Sequence, residues 1–448
     1  MIVLLKYMCY NILSSIIHFY IDNGVDFMNS IKRKKIANGV YFSSVQDSRF
    51  KTMRITANMI VPLSLETASS NALLCGVLSH SCKAYPDFTT LSKKLSSLYG
   101  ADLNVSVRKA GDRQILSISA NGLDDRYTLS GESIAKELSL LLCDVIFEPN
   151  ITDGKFNETE VEQERRQLLD LIDSEFNDKR TYANGQLVKN MCANEVFGIK
   201  RYGTAEKIKE VTSSSLYDTW QNILKTAIFE IMYIADSPSD KAEQVFTEAF
   251  SNVERMPVDI SNEVVRKAEE AKHITEEMEL SQSKLVMGFR TDSALPDDDT
   301  NATRLMCAIL GGTANSKLFC NVREKQSLCY YCASRFDKHK GILTVDSGVE
   351  GDNLEKAEKG ILKEIEDMKN GIISDFEIES TKLAVINSFH STNDTVGGIE
   401  SWYTSQLFDG EFKSIEELSE EINSITKEQI VKSAQKLTLD TVFTLKNK

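Results

Sequence analysis

Two side chains in the second half of the sequence, Arg323 and Tyr330, have the chemistry needed to hold a peptide. The arginine guanidinium is a planar fork of donors, and the tyrosine hydroxyl is a single donor. Both groups can therefore bind a peptide carbonyl, or the oxyanion that develops on it during hydrolysis. Each residue also has a purely structural interpretation, because Arg323 can pair with Glu324 at the end of a helix and Tyr330 can pack in a sheet. The residue types alone leave both interpretations open.

Histidine spacing excludes one common kind of zinc site. Two histidines four residues apart share one face of a helix and can hold a single zinc ion. The 448-residue sequence has five histidines, and no two of them are four residues apart. Cys75, His80 and Cys82 lie close together and are metal ligands by type, but their spacing matches no established zinc pattern. The simpler interpretation is a helix-borne His80 that is hydrogen-bonded locally, with buried thiols around it.

Cys329 and Cys332 form a C-x-x-C pair. In redox proteins this motif usually opens a helix, whose N-terminus lowers the pKa of the first thiol. Here the segment alternates like a strand, and successive side chains of a strand point to opposite faces. We therefore expect the two thiols on opposite faces, each serving only to fill space.

Composition narrows the functional class. The net charge of -14 and the pI of about 5.1 argue against a nucleic-acid-binding surface. The nine cysteines are odd in number and scattered, which does not indicate a disulfide framework and favours a reducing, cytoplasmic compartment. The apolar run at residues 12–21 is far shorter than the ~20 residues of a spanning helix. We expect residues 1–27 to lie outside the fold, with Met28 as an alternative start; a weak membrane-associating tail is the other interpretation.

The sequence repeats itself once, which indicates two copies of one domain. The apolar helical run at residues 73–78 corresponds to residues 305–310. In each half two alternating strands join through a short turn, at Gly111 and at Gly341. Because hairpins join several strands, we predict an α+β fold of two homologous domains, each a mostly antiparallel sheet packed with helices. The predicted boundaries are 28–240 for the first domain, 241–272 for a linker and 273–448 for the second domain.

The run from Gly311 to Tyr330 resembles the C-terminal half of the pitrilysin/insulinase family of zinc peptidases. In that family an arginine is followed seven residues later by a tyrosine, and Lys325 and Leu328 also stand in family-like places. Residues 83–86, Lys-Ala-Tyr-Pro, resemble the sequence just after the zinc motif of the family. The likeness covers most of the chain, from about residue 28 to the C-terminus, and is strongest to bacterial members that lack the zinc motif.

The resemblance places the His-x-x-Glu-His zinc motif of the family on residues 76–80. Gly76 stands where the first histidine would be, and Ser79 stands where a glutamate polarises the metal-bound water. Only His80 matches, and the position of the third ligand falls on Leu171. The resemblance therefore implies a degenerate metal site, with no metal and no catalytic residue in this chain alone.

On the substrate side, the resemblance implies that Arg323 and Tyr330 are retained. The Gly311–Gly312 pair either borders a peptide channel, like the glycine-rich loop of non-catalytic family members, or caps a helix.

Family architecture implies a function. Two halves, each of two such domains, close like a clam around a peptide, with zinc in the first domain of one half and the Arg/Tyr pair in the second domain of the other. The chain would be the non-catalytic, substrate-gripping subunit of a heterodimeric zinc metalloendopeptidase, with zinc held by a paralogous partner chain. Two alternatives remain: an inactive structural or peptide-binding scaffold, for example a homodimer, and an active peptidase with an atypical metal site. We expect neither a nucleic-acid nor a membrane partner.

Overall fold

The computed structural model describes residues 31–448, so the expected extension at residues 1–27 and the alternative start at Met28 lie outside the described part. Its strands are β1 Lys32–Ala37, β2 Val40–Gln46, β3 Thr52–Pro62, β4 Asp102–Ala110, β5 Arg113–Leu123, β6 Ile151–Thr152, β7 Lys155–Phe156, β8 Ile228–Ala235, β9 Lys272–Met278, β10 Ser283–Arg290, β11 Cys329–Asp337, β12 Ile342–Val349 and β13 Thr438–Asn447.

The α-helices are α1 Ala68–Val77, α2 Phe88–Ser97, α3 Ile134–Phe147, α4 Glu158–Asn177, α5 Lys179–Met191, α6 Ala205–Glu210, α7 Ser213–Thr226, α8 Asp240–Ser251, α9 Thr300–Cys307, α10 Leu354–Lys369, α11 Asp375–Ser391, α12 Val396–Thr404, α13 Ile415–Ser424 and α14 Lys427–Gln435. Two wider, π-helical segments, Ala308–Gly312 and Leu318–Lys325, follow α9. No helix within residues 31–448 is both long and apolar enough to cross a membrane.

Two sheets with the same topology organise the chain. The first has the strand order β1-β2-β8-β3-β5-β4, and the second has the order β9-β13-β10-β12-β11. In each sheet one pair is parallel, β2 with β8 and β9 with β13, and the other neighbours are antiparallel. Apart from the extra edge strand β1, the two orders match strand for strand. The predicted α+β fold, with mostly antiparallel sheets packed with helices, is confirmed.

One face of each sheet carries its own helices. Leucine, isoleucine and valine side chains of α1, α3 and α7 cover the first sheet, as Leu73, Leu138 and Ile223 illustrate. Helices α9, α10 and α14 cover the second sheet in the same way, with Leu305 and Ile361 fully buried. Burying these apolar surfaces is the main stabilising term of each core.

The opposite face of each sheet is covered by a helix from the other half of the chain. Ala183 and Leu187 of α5 pack on Val286, Phe443 and Leu445 of the second sheet. Conversely, Ile399, Trp402 and Tyr403 of α12 pack on Val45, Met232 and Ile234 of the first sheet. Both faces of the central strands are therefore buried, which explains why residues 55–61 of β3 are all buried although polar and apolar residue types alternate along much of the strand.

The predicted linker at residues 241–272 differs from the structure in its first part. Helix α8 occupies residues 240–251, and its Ala242, Val245, Phe246 and Phe250 belong to the first core. This apolar spacing is that of one helix face, so the segment gains more by packing than by extending. Residues 254–268 are free of helix and strand, and Ile260 within them packs on Ile60 and Ile115.

Candidate functional site

The zinc-motif positions of the resemblance lie at the end of α1 and are filled by a histidine–carboxylate pair. His80 follows this helix, and its Nε2 atom lies 3.1 Å from Oε2 of Glu164 on α4. A Cβ atom at Gly76 would lie only 2.1 Å from Oε1 of Glu164. The carboxylate of Glu164 therefore occupies the space that any side chain at position 76 would need. Ser79 is satisfied locally, since its hydroxyl donates to the carbonyl oxygen of Gly76 at 2.7 Å.

Electrostatics make this pair unsuited to metal binding. The hydrogen bond with Glu164 raises the pKa of His80 above 6.5, against the opposing effect of burial. A second acid, Glu160, accepts a hydrogen bond from the Ser81 hydroxyl at 3.0 Å, and burial raises its pKa. Protonation removes the lone pair that a metal needs, so this contact competes with metal binding. The arrangement is a half-buried histidine–carboxylate hydrogen bond that joins α1 to α4.

Leu171, the position of the third ligand, carries a side chain that cannot coordinate. It lies on α4, seven residues beyond Glu164, which is about 10 Å along a helix. Its side chain is 40% exposed. Within residues 31–448, no group of three or more His, Cys, Asp or Glu side chains is arranged to hold a metal.

The atypical site considered from the sequence, Cys75 with His80 and Cys82, is not assembled. The Cys75 thiol donates to the carbonyl oxygens of Ser106 and Ser117 in the first sheet. Burial raises its pKa to about 12, and burial also raises the pKa of Cys82. Both thiols therefore stay protonated at neutral pH, whereas a metal takes the thiolate. The simpler interpretation, a locally hydrogen-bonded His80 among buried thiols, agrees with this geometry.

Arg323 and Tyr330 lie on neighbouring elements of the second half. Arg323 belongs to the segment Leu318–Lys325, with its guanidinium carbon 4.5 Å from the centroid of the Phe319 ring and its Nε 3.7 Å from the Glu324 carboxylate. Its side chain remains 35% exposed. Tyr330 is 75% exposed at the start of β11, so it does not pack in the sheet. The aromatic ring and the acid orient Arg323, while Tyr330 presents its ring to solvent.

A β-bulge explains the exposure of Tyr330. Cys329 pairs with Val349 and Tyr331 with Gly348, which leaves Tyr330 as an extra residue in β11. The bulge resets the alternation, so that Cys329 and Cys332 both contact the second core. The expectation that these two thiols lie on opposite faces was therefore wrong. Simple alternation in the sequence contains no sign of one extra residue.

The Gly311–Gly312 pair has two different roles. Gly311 is buried, and a Cβ there would lie 2.7 Å from the backbone nitrogen of Ser334, so glycine permits the close approach of this segment to β11. Gly312 is exposed and ends the helical segment Ala308–Gly312. The loop that follows is anchored by Lys317, a buried cation whose Nζ lies 3.2 Å from Glu377 and 3.9 Å from Glu364.

Sequence reasoning identified the degenerate zinc-motif positions but missed two residues: Glu164, which contacts His80, and Lys317, which follows the Gly311–Gly312 pair. Glu164 lies in the helix that was inspected for the third ligand, but its pairing with His80 joins residues 84 apart in sequence. Lys317 was noted only as part of the family-like run. Its deep burial beside two glutamates has no local signature, because a lysine in a polar run is usually exposed.

Comparisons with known proteins agree with this architecture. The family described as "Peptidase M16 inactive domain" matches residues 210–385. The "Probable inactive metalloprotease YmfF" of Bacillus subtilis (strain 168) is 30% identical over 422 residues, which cover 94% of this chain and 99% of that protein. The "Uncharacterized zinc protease YmxG" of the same strain is 25% identical over 170 residues, covering 37% of this chain and 41% of that protein.

A solved structure extends the likeness to three dimensions. The crystal structure of a conserved protein from Enterococcus faecalis V583 superposes with a TM-score of 0.86 at 29% identity, covering 93% of this chain and 99% of that one. Together with the near-complete overlap with YmfF, the repeated α+β topology and the degenerate zinc motif leave one conclusion. The chain belongs to the pitrilysin/insulinase (M16) peptidase family and is a homologue of its inactive members.

Proposed function

We propose that the chain is the non-catalytic, substrate-gripping subunit of a heterodimeric zinc metalloendopeptidase that acts on peptides. The observation that carries this proposal is the exposed Tyr330, presented by a bulge beside the partly exposed Arg323. A hydroxyl and a guanidinium held at the surface suit a peptide carbonyl.

Zinc and the catalytic groups would come from a paralogous partner chain. The positions that hold zinc in the family carry the His80–Glu164 pair here, which supports a division of labour between two chains. A relative named as a probable inactive metalloprotease and a relative named as a zinc protease both come from one bacterium, B. subtilis (strain 168), which supports a pairing of two such chains. Within this subunit the two repeats, each built on one of the two large sheets and the first extending through helix α8, would act as the two domains of one half of the clamshell.

The cytoplasm is the compartment that we propose for this assembly. The eight cysteines of the described part are all free thiols, as expected in a reducing environment.

The first test is to identify the partner. The tagged chain is purified from its native cells, and co-purifying proteins are identified by mass spectrometry. A stoichiometric companion with an intact His-x-x-Glu-His motif is the expected result. A chain that emerges alone or only with itself contradicts the heterodimer.

The second test measures the role of Arg323 in the reconstituted pair. Arg323→Ala should lower the kcat/KM of the partner by about 10²–10³-fold, the effect of one oxyanion donor, if the guanidinium acts on the transition state. Arg335→Ala is the matched control, because Arg335 is an exposed cation on the neighbouring strand β11. Equal activity of the two variants would remove Arg323 from the substrate site.

An inactive scaffold is the second candidate function, and one contact favours it. Arg323 already lies against Glu324 and Phe319 of its own chain, so part of its binding capacity is used internally. A scaffold would form a stable complex without proteolysis and would tolerate Arg323→Ala.

A further inference from the structure

The bulge at Tyr330 places two thiols together beside the Arg323 side chain. Cys329 and Cys332 lie on the same side of β11, and both contact the second core. Cys329 lies opposite Val349 and Cys332 opposite Ser347 of the adjacent strand β12. The Ser347 hydroxyl donates to the carbonyl oxygen of Tyr331, between the two cysteines, at 2.9 Å. Cys329 is partly exposed, while Cys332 is buried. An accessible thiol backed by a buried one is the arrangement of an attacking and a resolving cysteine.

The two thiols differ sharply in acidity. The hydrogen bond from Cys332, helped by Ser347 and by the positive charge of Arg323, lowers the pKa of Cys329 to about 7 although burial opposes the shift. The hydrogen bond with Cys329 and burial raise the pKa of Cys332 well above its ordinary value. Burial likewise raises the pKa of Cys75, Cys143 and Cys307. Because the thiolate is the nucleophile, Cys329 is the thiol set apart for reaction.

We propose that Cys329 and Cys332 form a peroxide-sensitive dithiol that controls the position of Tyr330. The Cys329 thiolate attacks one oxygen of hydrogen peroxide: an S–O bond forms, the O–O bond breaks, and hydroxide leaves. The sulfur loses two electrons and the peroxide gains them. The Cys332 thiol then attacks the sulfenic sulfur of Cys329; an S–S bond forms, the S–O bond breaks, and the departing hydroxide takes the thiol proton as water.

Closing this disulfide must move Tyr330. Because of the bulge, Cys329 and Cys332 lie opposite Val349 and Ser347, which are two residues apart and span about 6.5–7 Å along β12, whereas the Cα atoms of a disulfide are most often about 5.5–6 Å apart. The segment between the two cysteines therefore has to contract, and Tyr330 and Tyr331 are the residues within it. Because Cys329 is partly exposed, a thiol reductant can attack the disulfide, so the change is reversible. The chemistry at the two thiols does not depend on whether Tyr330 contacts a peptide.

Mass spectrometry of the full chain tests the chemistry directly. Trypsin releases residues 326–335, which contain both cysteines, and releases Cys320 in a separate peptide. Peroxide should convert the 326–335 peptide to an internal disulfide that is two hydrogens lighter and reverts with dithiothreitol. Cys320, also partly exposed, is the internal control and should stay reduced at the same dose. Oxidation of Cys320 first, or direct over-oxidation of Cys329 without a disulfide, overturns the proposal.

Two variants separate the roles of the thiols. Cys332→Ser removes the resolving thiol and should leave a sulfenic acid on Cys329 that a 1,3-diketone traps. Cys329→Ser should leave Cys332 reduced, because Cys332 is buried and protonated. Identical products from both variants would contradict the assignment.

Amide hydrogen exchange tests the coupling to Tyr330. Oxidation should speed exchange in residues 326–335 of the wild-type chain, because contraction disrupts the pairing of β11 with β12. The oxidised Cys332→Ser variant, which cannot close the ring, should exchange as before. Unchanged exchange in a wild-type chain that carries the disulfide overturns the movement of Tyr330.

Discussion

At the scale of single residues, the zinc-motif positions of the M16 family hold a hydrogen-bonded His80–Glu164 pair here, and the missing side chain at position 76 makes room for it. Glycine leaves room for the carboxylate of Glu164, which reaches His80 and would collide with any Cβ at position 76. The helix α1 and the helix α4, which the family joins through a metal, are joined here by a hydrogen bond. His80 and Glu164 thus hold α1 and α4 together without a metal.

The pair predicts a defined pH dependence. Glu164 raises the pKa of His80 above 6.5, so its stabilisation is complete below pH 6.5 and is lost as the pH rises through the higher folded-state pKa. Glu164→Gln should lower the pKa of His80 and remove this component of stability. An NMR titration of the five histidines, with His80→Asn to assign the signal, measures the shift. An unchanged pKa in Glu164→Gln would mean that the pair does not form.

Gly76→Ala tests the tight packing over the helix. The added Cβ would lie 2.1 Å from Oε1 of Glu164, so Glu164 must move away and its contact with His80 is disturbed. We expect a loss of about 1–3 kcal/mol in the free energy of unfolding. Gly185→Ala is the matched control, because a Cβ at Gly185 in helix α5 has no neighbour within 4 Å. That control should be neutral or stabilising by about 0.5–1 kcal/mol; equal losses in both would contradict the packing.

At the scale of elements, the sequence predicted what repeats and missed what departs from the repeat. The paired hairpins at Gly111 and Gly341 have a local signal, and both form as expected. The bulge at Tyr330 has no local signal, because one extra residue changes the pairing register of β11 with β12 but not the composition of the segment. The packing of α5 and α12 on the sheet of the other half is equally hidden from the sequence. The apolar positions of α5, such as Leu187, indicate that a face is buried but not which sheet buries it.

Shortening one buried side chain of α5, Leu187, should weaken the second sheet although the helix belongs to the first half of the chain. Leu187 is fully buried against that sheet, so Leu187→Ala should cost about 2–5 kcal/mol. Amide exchange should speed up in β10 and β13. Leu171→Ala, a matched change at an exposed position, should stay within about 0.5 kcal/mol. Faster amide hydrogen exchange confined to the first sheet would contradict the packing of α5 on the second sheet.

Across the whole molecule, buried charges join the two halves of the chain, as do α5 and α12, which each pack on the sheet of the other half. Lys340, between β11 and β12, has no exposed side-chain surface and donates to Asp112 of the first half at 2.9 Å. Glu195, also of the first half, lies 3.4 Å from Lys340 and 2.6 Å from the buried Arg290 of β10. Because these contacts cross between the repeats, we expect the two repeats to unfold in one cooperative transition, so that the chain behaves as a single body.

Lys340→Met tests this coupling. The substitution removes the cation while Asp112 and Glu195 remain buried, and breaking a buried pair in this way costs about 3–5 kcal/mol. The double variant Lys340→Met/Asp112→Asn should recover part of the loss, because it removes one of the stranded charges. Lys359→Met is the control: it breaks a fully exposed pair with Glu355 and should leave the unfolding midpoint unchanged. Urea unfolding is followed by two probes. Tryptophan fluorescence reports on the first sheet, because Trp220 lies in its core and Trp402 packs on its opposite face. Circular dichroism reports on the whole chain. Coincident transitions with a lowered midpoint are expected in Lys340→Met. Separate transitions already present in the wild-type chain would show that the two repeats fold independently and that the buried charges do not couple them.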